Sequence, residues 1–308
     1  MSLQKIDICI CTFRRDHITQ TMQSLAGLKT RETWGVRVII ADNDETPTSK
    51  EKVEGTAKTL PFPVLYVHAP ARNISIARNA CLDASAGEYI AFIDDDEIVE
   101  PVWLEALMSK VEETQADAVI GPVHVIYGED CPSWVRNGNY HARAAVYVNG
   151  EITTGYTANL LFNAAMPAFK GRRFHLELGQ TGGEDSAFLK AAYHDGAKLE
   201  YAPQAIVSET IPPGRTQFLW LVRRRFREGQ THGMMLGQHH SKSRVAVLKA
   251  IALAASKAVI SFAVAPLFVF WPHRFNFWVL RGIMHAGVVS YFLGQKTLIL
   301  YGQNKADL

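Results

Sequence analysis

Several familiar signatures are missing from this 308-residue chain. No G-x-G-x-x-G follows the first predicted strand, and neither G-x-x-x-x-G-K-[ST] nor G-x-S-x-G occurs. A dinucleotide-dependent dehydrogenase, a P-loop NTPase and an α/β-hydrolase all lose support. Phosphate, if bound, must be held by metal and arginine instead of a glycine cradle. Cysteine is scarce: Cys9, Cys11, Cys81 and Cys131 have neither the number nor the spacing of a disulfide framework or zinc site. A reducing compartment is expected. No charged segment followed by an apolar run opens the chain, so no signal peptide is expected. Long uncharged runs are also lacking. In the tail from 245 onwards the longest, 258–273, has 16 residues and 282–295 has 14, against about 20 for a spanning helix. Acids nearly vanish at the end. Residues 215–308 hold 13 Lys and Arg against Glu228 and Asp307, giving +11, while the first 214 residues carry −9. An acidic body with a basic, apolar tail points to an anionic partner for the tail.

What is present begins with short apolar runs of strand length at 6–11, 36–41, 64–67 and 89–93. Helical spacing fills 18–28 and 73–84, with Asn73 as a candidate N-cap. A polar segment reaches Lys58. This alternation predicts a parallel α/β sheet. A further helix is predicted after Glu184-Asp185, with Gly196 just past its end, and a further strand near 206–209. Pro212-Pro213-Gly214-Arg215 breaks the chain before the tail.

Three predicted strand ends carry polar groups: Thr12 and Arg14, then Asp42, then Asp94-Asp95-Asp96-Glu97. In open α/β sheets ligands bind at that edge. Four adjacent carboxylates repel one another unless something cationic joins them, and all-oxygen ligands suit Mg²⁺ or Mn²⁺. A solvated acidic turn is the simpler alternative. Asp185 also has two readings. It can cap a helix start, or it can serve in a Gly-rich loop, Gly179 to Gly183, that approaches a ligand closely.

Taken in order across residues 6–230, the chain resembles a family 2, GT-A-fold glycosyltransferase. The residues that carry the resemblance are Cys11-Thr12-Phe13-Arg14-Arg15, Ala41-Asp42-Asn43-Asp44, Ala77-Arg78-Asn79, Gly87-Glu88-Tyr89, the Asp94-Asp95-Asp96 element, and Gly182-Gly183-Glu184-Asp185. Residues 73–79 and 224–233 are similar to the bacterial exopolysaccharide branch of that family. The resemblance implies a GT-A, nucleotide-diphospho-sugar transferase fold with a mixed, mostly parallel sheet. It implies an inverting enzyme moving a hexose, glucose from UDP-glucose, onto a lipid-linked oligosaccharide. Asp42 is then expected at the uracil, with Thr12, Arg14 and Asp44 along the same wall. Arg78 is expected near the diphosphate and Asp94 near the ribose, with Asp95 also among the donor-binding residues. Asp96 would ligate Mg²⁺ or Mn²⁺, and Asp185 would be the general base. Gly183, Glu184, Arg224 and Arg225 fall on the acceptor side.

There are departures. Many family members place a His after the last sheet strand, near the metal, where this chain has Glu209; Glu209 takes that role or no protein group does. The Q-x-x-R-W of processive members is absent, since Arg223-Arg224-Arg225-Phe226 stands without that Gln and Trp. One sugar per acceptor is therefore expected. Those arginines either contact phosphate or form a solvated helix face. The tail reads either as buried helices of a small bundle or as helices lying in a bilayer surface, basic side out and aromatic side in. The expected organisation is a catalytic domain at 1–214 and a membrane-associating helical region at 215–308. The expected setting is the cytoplasmic face of the plasma membrane, peripheral or monotopic, among other polysaccharide-assembly enzymes, without nucleic acid. A non-catalytic nucleotide-sugar-binding scaffold is the alternative. A D-x-D-x-T phosphatase fails because Ile98 stands where Thr is needed.

Overall fold

In the computed structural model, which describes residues 3–240 and 243–299, strands β1 (Gln4–Thr12), β2 (Trp34–Asp42), β3 (Val64–His68) and β4 (Tyr89–Asp94) alternate with helices α1 (Ile18–Leu25), α2 (Lys50–Ala57) and α3 (Ile74–Ala84). The chain continues through β5 (Glu97–Val99), α4 (Trp103–Thr114), β6 (Ala118–Ile120), β7 (Val123–Tyr127) and α5 (Ser133–Gly138). A small hairpin, β8 (Tyr147–Val148) and β9 (Glu151–Ile152), precedes β10 (Asn159–Asn163), α6 (Glu184–His194), β11 (Leu199–Tyr201) and β12 (Val207–Ile211). Three long helices follow: α7 (Phe218–His240), α8 (Arg244–Val264) and α9 (Pro272–Phe292). Positions 241–242 and 300–308 of the predicted tail lie outside the described residues.

The chain divides into two compact units. One comprises Met1–Ile126, Ala142–Gly179 and Glu184–Thr210, the other Tyr127–His141, Gln180–Gly183 and Ile211–Leu308. The first unit is built on a seven-stranded sheet in the order β11-β6-β10-β4-β1-β2-β3. All pairs are parallel except those of β10, which runs antiparallel to β4 and β6. The sheet is therefore mixed and mostly parallel, as expected from the resemblance.

Both faces of β1 are covered, so its residues alternate between two cores. Ile6, Ile8 and Ile10 join Met22 and Leu25 of α1 and Trp103 and Leu107 of α4. Cys9 joins Cys81 of α3, Phe188 of α6 and the rings of Phe92, Phe162 and Phe174. Phe174 and Phe188 stack at 4.2 Å. Asn73 caps α3 as predicted, accepting from the amides of Ser75 and Ile76 at 3.0 and 3.3 Å. Helix α2 was hidden in the polar segment because Val53 is its single buried residue, leaving almost no apolar periodicity to read.

Register aligns the strand ends. Thr12 is level with Asp42, and Cys11 with Asp94. Beside the main sheet, β5, β12 and β7 form a second one, in which Glu97 stands opposite Glu209.

In the second unit α7 and α9 approach closely where glycines face each other. A Cβ on Gly229 would sit 1.9 Å from the Met284 carbonyl oxygen, and one on Gly287 2.1 Å from that of Phe226. The buried Gln230 amide donates to Ser290 Oγ and the Lys296 carbonyl, and its oxygen accepts from the Leu298 amide. Val135 and Tyr140 pack with Leu221 and Leu280 in a third core. Lys249 and Lys257 do not end α8. Residues 244–268 form one helical stretch of 25 residues, long and apolar enough to cross a membrane by length and composition.

Candidate active site

The carboxyl ends of β1, β2 and β4 meet at one edge of the sheet, where the strand order reverses direction around β1. At the end of β1, the Thr12 hydroxyl donates to Asp95 Oδ2 at 2.7 Å. Arg15 ion-pairs with Asp96, and its Nε lies 3.5 Å from Asp95 Oδ1. Thr21 on α1 holds the same turn by donating to the Asp95 carbonyl at 2.9 Å. Burial pushes the Asp95 carboxyl up to about 7; Arg15 opposes this, and the neighbouring charge of Asp96 adds to it.

The turn from β4 into β5 closes on itself. The Asp94 amide donates to Glu97 Oε2 at 2.8 Å. Glu97 Oε1 is buried without a hydrogen-bond partner. Burial, with the Asp94 charge, raises the Glu97 carboxyl well above the usual carboxylate range. A buried, unpartnered carboxylate oxygen costs roughly 1–3 kcal/mol or more. The cluster thus carries an unmet demand for positive charge.

Arg78 supplies part of that charge. Arg78 is 6% exposed; its guanidinium ion-pairs with Glu184 at the start of α6 and lies 3.7 Å from Asp94. It also sits 5.5 Å from the centre of the Phe174 ring. One buried cation therefore ties α3, β4 and the α6 terminus together. Arg143 reaches Asp94 from the other side, also at 3.7 Å. Burial raises the Glu184 carboxyl against the pull of Arg78, and Glu184 Oε2 is buried without a partner. Asp185, the next residue, is half-buried and accepts from the Ser186 amide at 2.6 Å. That bond satisfies a free amide in the first turn of α6, and Asp185 is partly exposed.

The end of β2 is built differently. Asp42 is fully buried and accepts from the amides of Asp44 and Ser49 and from the Tyr66 hydroxyl, at 3.1, 2.9 and 2.8 Å. Its carboxylate closes the loop 43–49. Asp44 takes a two-pronged bond from Arg14, both contacts at 2.8 Å, and the hydrogen bond from Arg14 holds its carboxyl below the usual range. Arg14 adopts φ +54°, a left-handed conformation that a non-glycine residue rarely takes without local support. The Asp44 fork supplies that support.

Gly179 is required where it stands. A Cβ there would lie 1.8 Å from the Asn73 Oδ1 that caps α3. In the second unit, Gly182 and Gly183 have φ +83° and +95°, and a Cβ on Gly182 would meet Arg227 Nη1 at 1.9 Å. Arg224 and Arg225 both pair with Glu228, at 2.9 and 2.7 Å, and Arg224 lies over the Trp220 ring.

The edge of the sheet thus assembles Thr12, Asp94, Asp95, Asp96 and Arg78 with the Glu184-Asp185 pair. Asp42, Asp44 and Arg14 form a neighbouring loop cluster. Glu209 is 5% exposed, opposite Glu97. Sequence reasoning left Arg15, Glu97 and Arg143 out of the site. Arg15 and Glu97 were visible as neighbours of chosen residues. Arg143 had no signal, since its partner lies far away in sequence.

Among the described residues, no group of three or more His, Cys, Asp or Glu side chains is arranged to hold a metal ion. A cation taking one or two carboxylates, with phosphate and water for the rest, needs no such group. The all-oxygen donors and the unpartnered Glu97 oxygen fit that kind of binding.

The fold is of the GT-A type. Residues 7–168 match the profile of Glycosyl transferase family 2, and the chain belongs to that family; it is a glycosyltransferase. It is 44% identical over 297 residues to the succinoglycan biosynthesis protein ExoM of Rhizobium meliloti (strain 1021), covering 96% of each chain. It is 24% identical over 252 residues to the glucosyl-dolichyl phosphate glucuronosyltransferase of Haloferax volcanii, covering 75% of this chain and 77% of that one. Among solved structures, the mannosyltransferase PcManGT from Pyrobaculum calidifontis, in complex with GDP-Man and Mn²⁺, aligns with TM-score 0.64 at 14% identity, covering 96% of this chain and 89% of that one. S. aureus TarS 1–349 in complex with UDP-GlcNAc aligns with TM-score 0.55 at 17% identity, covering 94% and 92%. The expected family, its exopolysaccharide branch and the fold are borne out.

Proposed function

We propose that the protein is an inverting hexosyltransferase that moves glucose from UDP-glucose onto a lipid-linked oligosaccharide, one sugar per acceptor, in exopolysaccharide synthesis. The observation that carries this reading is the Arg78 bridge. It fixes the start of α6, and so Asp185, beside the acidic end of β4. The similarity to ExoM supports the pathway, and the TarS complex with UDP-GlcNAc supports a UDP-sugar donor.

Asp185 takes the proton of the acceptor hydroxyl as that oxygen attacks the anomeric carbon. The bond from that carbon to the diphosphate breaks in the same displacement, and its electron pair leaves on UDP. General base catalysis of this kind is worth roughly 10²–10⁴-fold. Glu184 and Arg78 orient the base, and Arg78 presents fixed positive charge towards the donor phosphates. Asp94 and Asp95 hold the donor ribose side. Asp42 acts by closing the loop that seats the uracil, since its own oxygens are buried and occupied, while Thr12, Arg14 and Asp44 shape that wall. Asp96, with Glu209, would hold Mg²⁺ or Mn²⁺, whose contribution there is Lewis-acid neutralisation of the leaving diphosphate. Gly183, Arg224 and Arg225 belong to the acceptor side. Residues 1–214 carry the chemistry, and 215–308 hold the enzyme on the cytoplasmic face of the plasma membrane, beside other assembly enzymes.

The test is a transfer assay with purified protein, UDP-sugars, Mg²⁺ or Mn²⁺ and a lipid-linked acceptor. Turnover with UDP-glucose supports the reading. UDP-sugar binding with neither hydrolysis nor transfer on any acceptor would leave the non-catalytic scaffold.

A further inference from the structure

We infer that α8 and α9 form a hairpin whose apex inserts into one leaflet of an anionic phospholipid bilayer. This deepens the membrane reading above and rests on it.

The two helices run antiparallel. Gly282 faces the Phe262 ring, with a Cβ there 2.8 Å from ring atoms, and the charge of Lys257 acts on His285. Both pairs are centred near residue 271, which places the apex at the 3₁₀ turn Ala265–Phe268 and the following Val269 to Pro272. The buried positions of α8 are a narrow stripe of small residues, Ala254, Ala258 and Ser261. Apart from Lys249, Ser256 and Lys257, the rest of its surface is mostly apolar and open. Val259 and Ile260 are 67% and 57% exposed. At the apex, Leu267, Phe270 and Trp271 are 71%, 86% and 51% exposed. A mostly apolar helix is at home in a protein core or in lipid, and this one, despite Lys249 and Lys257, is not in a core.

The flanking charge selects the occupant. No acid lies between Glu228 and Asp307, while Lys249, Lys257, Arg274 and Arg281 punctuate the hairpin. Arg274 lies 5.9 Å from the centre of the Phe268 ring and Arg281 5.8 Å from that of Trp278. Aromatic bodies with basic heads beside them match the boundary between acyl chains and phosphates. Arg274 follows the apex directly, and its head must reach phosphate. Insertion is therefore shallow, about 5–10 Å, as for interfacial helices. The lysines within α8 argue in the same direction, against a full crossing.

The experiment uses the full chain with liposomes of phosphatidylcholine and phosphatidylglycerol. Flotation measures partition, and brominated acyl chains quench tryptophans that enter the leaflet. Wild-type protein is expected to float in proportion to anionic lipid and to be quenched, with the quenchable part reduced in Trp271→Phe. Leu267→Asp with Phe270→Asp is expected to lower partition at least tenfold. Both positions are exposed, so the fold should tolerate them, and an unchanged melting temperature checks this. Arg274→Glu is expected to weaken partition and its salt dependence. If wild type floats while the apex pair partitions equally, the hairpin insertion is overturned and the wider membrane reading stands. If nothing floats with any lipid mixture, both fail. If wild type is a dimer without lipid and the apex pair a monomer, the apex is a protein interface and the inference is overturned.

Discussion

The two units distribute their chemistry in opposite ways. The first buries charge: Arg78, Asp95, Glu97, Glu184 and Glu209 are all under 9% exposed. The second exposes apolar surface, from Val245 to Phe277. Each arrangement is costly in isolation. Buried charges lose solvation, and large apolar patches invite association. Each becomes intelligible under the functions proposed above: a diphosphate with its cation at the first, a bilayer at the second. In this protein, misplaced polarity points to ligands more reliably than any single motif.

The largest test of the buried side is Asp96→Ala. Transfer should fall below detection and UDP binding should weaken, as read by product formation and calorimetry. EDTA should act alike on wild type. Full activity in EDTA would remove the cation from the account.

Asp185→Asn should lower kcat by about two orders of magnitude or more while UDP affinity stays within a few-fold. Steady-state kinetics and UDP titration separate these. Equal loss of UDP binding would reduce Asp185 to the helix cap that its bond to Ser186 already makes.

Arg78→Ala strands Glu184 in the core, and breaking a buried pair costs about 3–5 kcal/mol. Denaturant unfolding should show that loss. Arg78→Met combined with Glu184→Leu should regain much of the stability without regaining activity. Activity returning with stability would make the pair structural only.

At neutral pH the smallest effect lies in the second unit. His141 is 1% exposed, pairs with the Tyr127 hydroxyl at 3.0 Å and bonds the Arg215 carbonyl at 3.1 Å. Burial, aided by Arg224, pulls its imidazole down to about 3. The unfolded chain takes up a proton below the ordinary histidine value of roughly 6.5, and the folded chain does not. His141 therefore stabilises the fold above that pH, and the contribution is lost as pH falls towards about 3. His141→Gln should flatten this acid limb in thermal melts. Point variants suit such tests better than a cut after Gly214, which would uncover Val135 and Tyr140.

The main sheet was readable because β1 to β4 are short apolar runs with polar ends, and Asn73 and Gly196 mark helix boundaries by simple chemistry. The site was readable where function sits beside a strand end, as at Asp94–Asp96. It was not readable where a partner comes from far along the chain. Arg143 meets Asp94 only in the fold. The occupied state of Asp42 was equally hidden, because two of its donors are backbone amides. Lys249 and Lys257 made α8 look divided, yet helix continuity depends on backbone bonds and neighbouring side chains, and a single lysine is a good helix former.

The most direct test of the central claim is the stereochemistry of transfer. With UDP-glucose and the lipid-linked acceptor, NMR of the new glycosidic bond should show an anomeric configuration opposite to that of the donor, because Asp185 drives one displacement. A product that retains the donor's configuration would contradict the account.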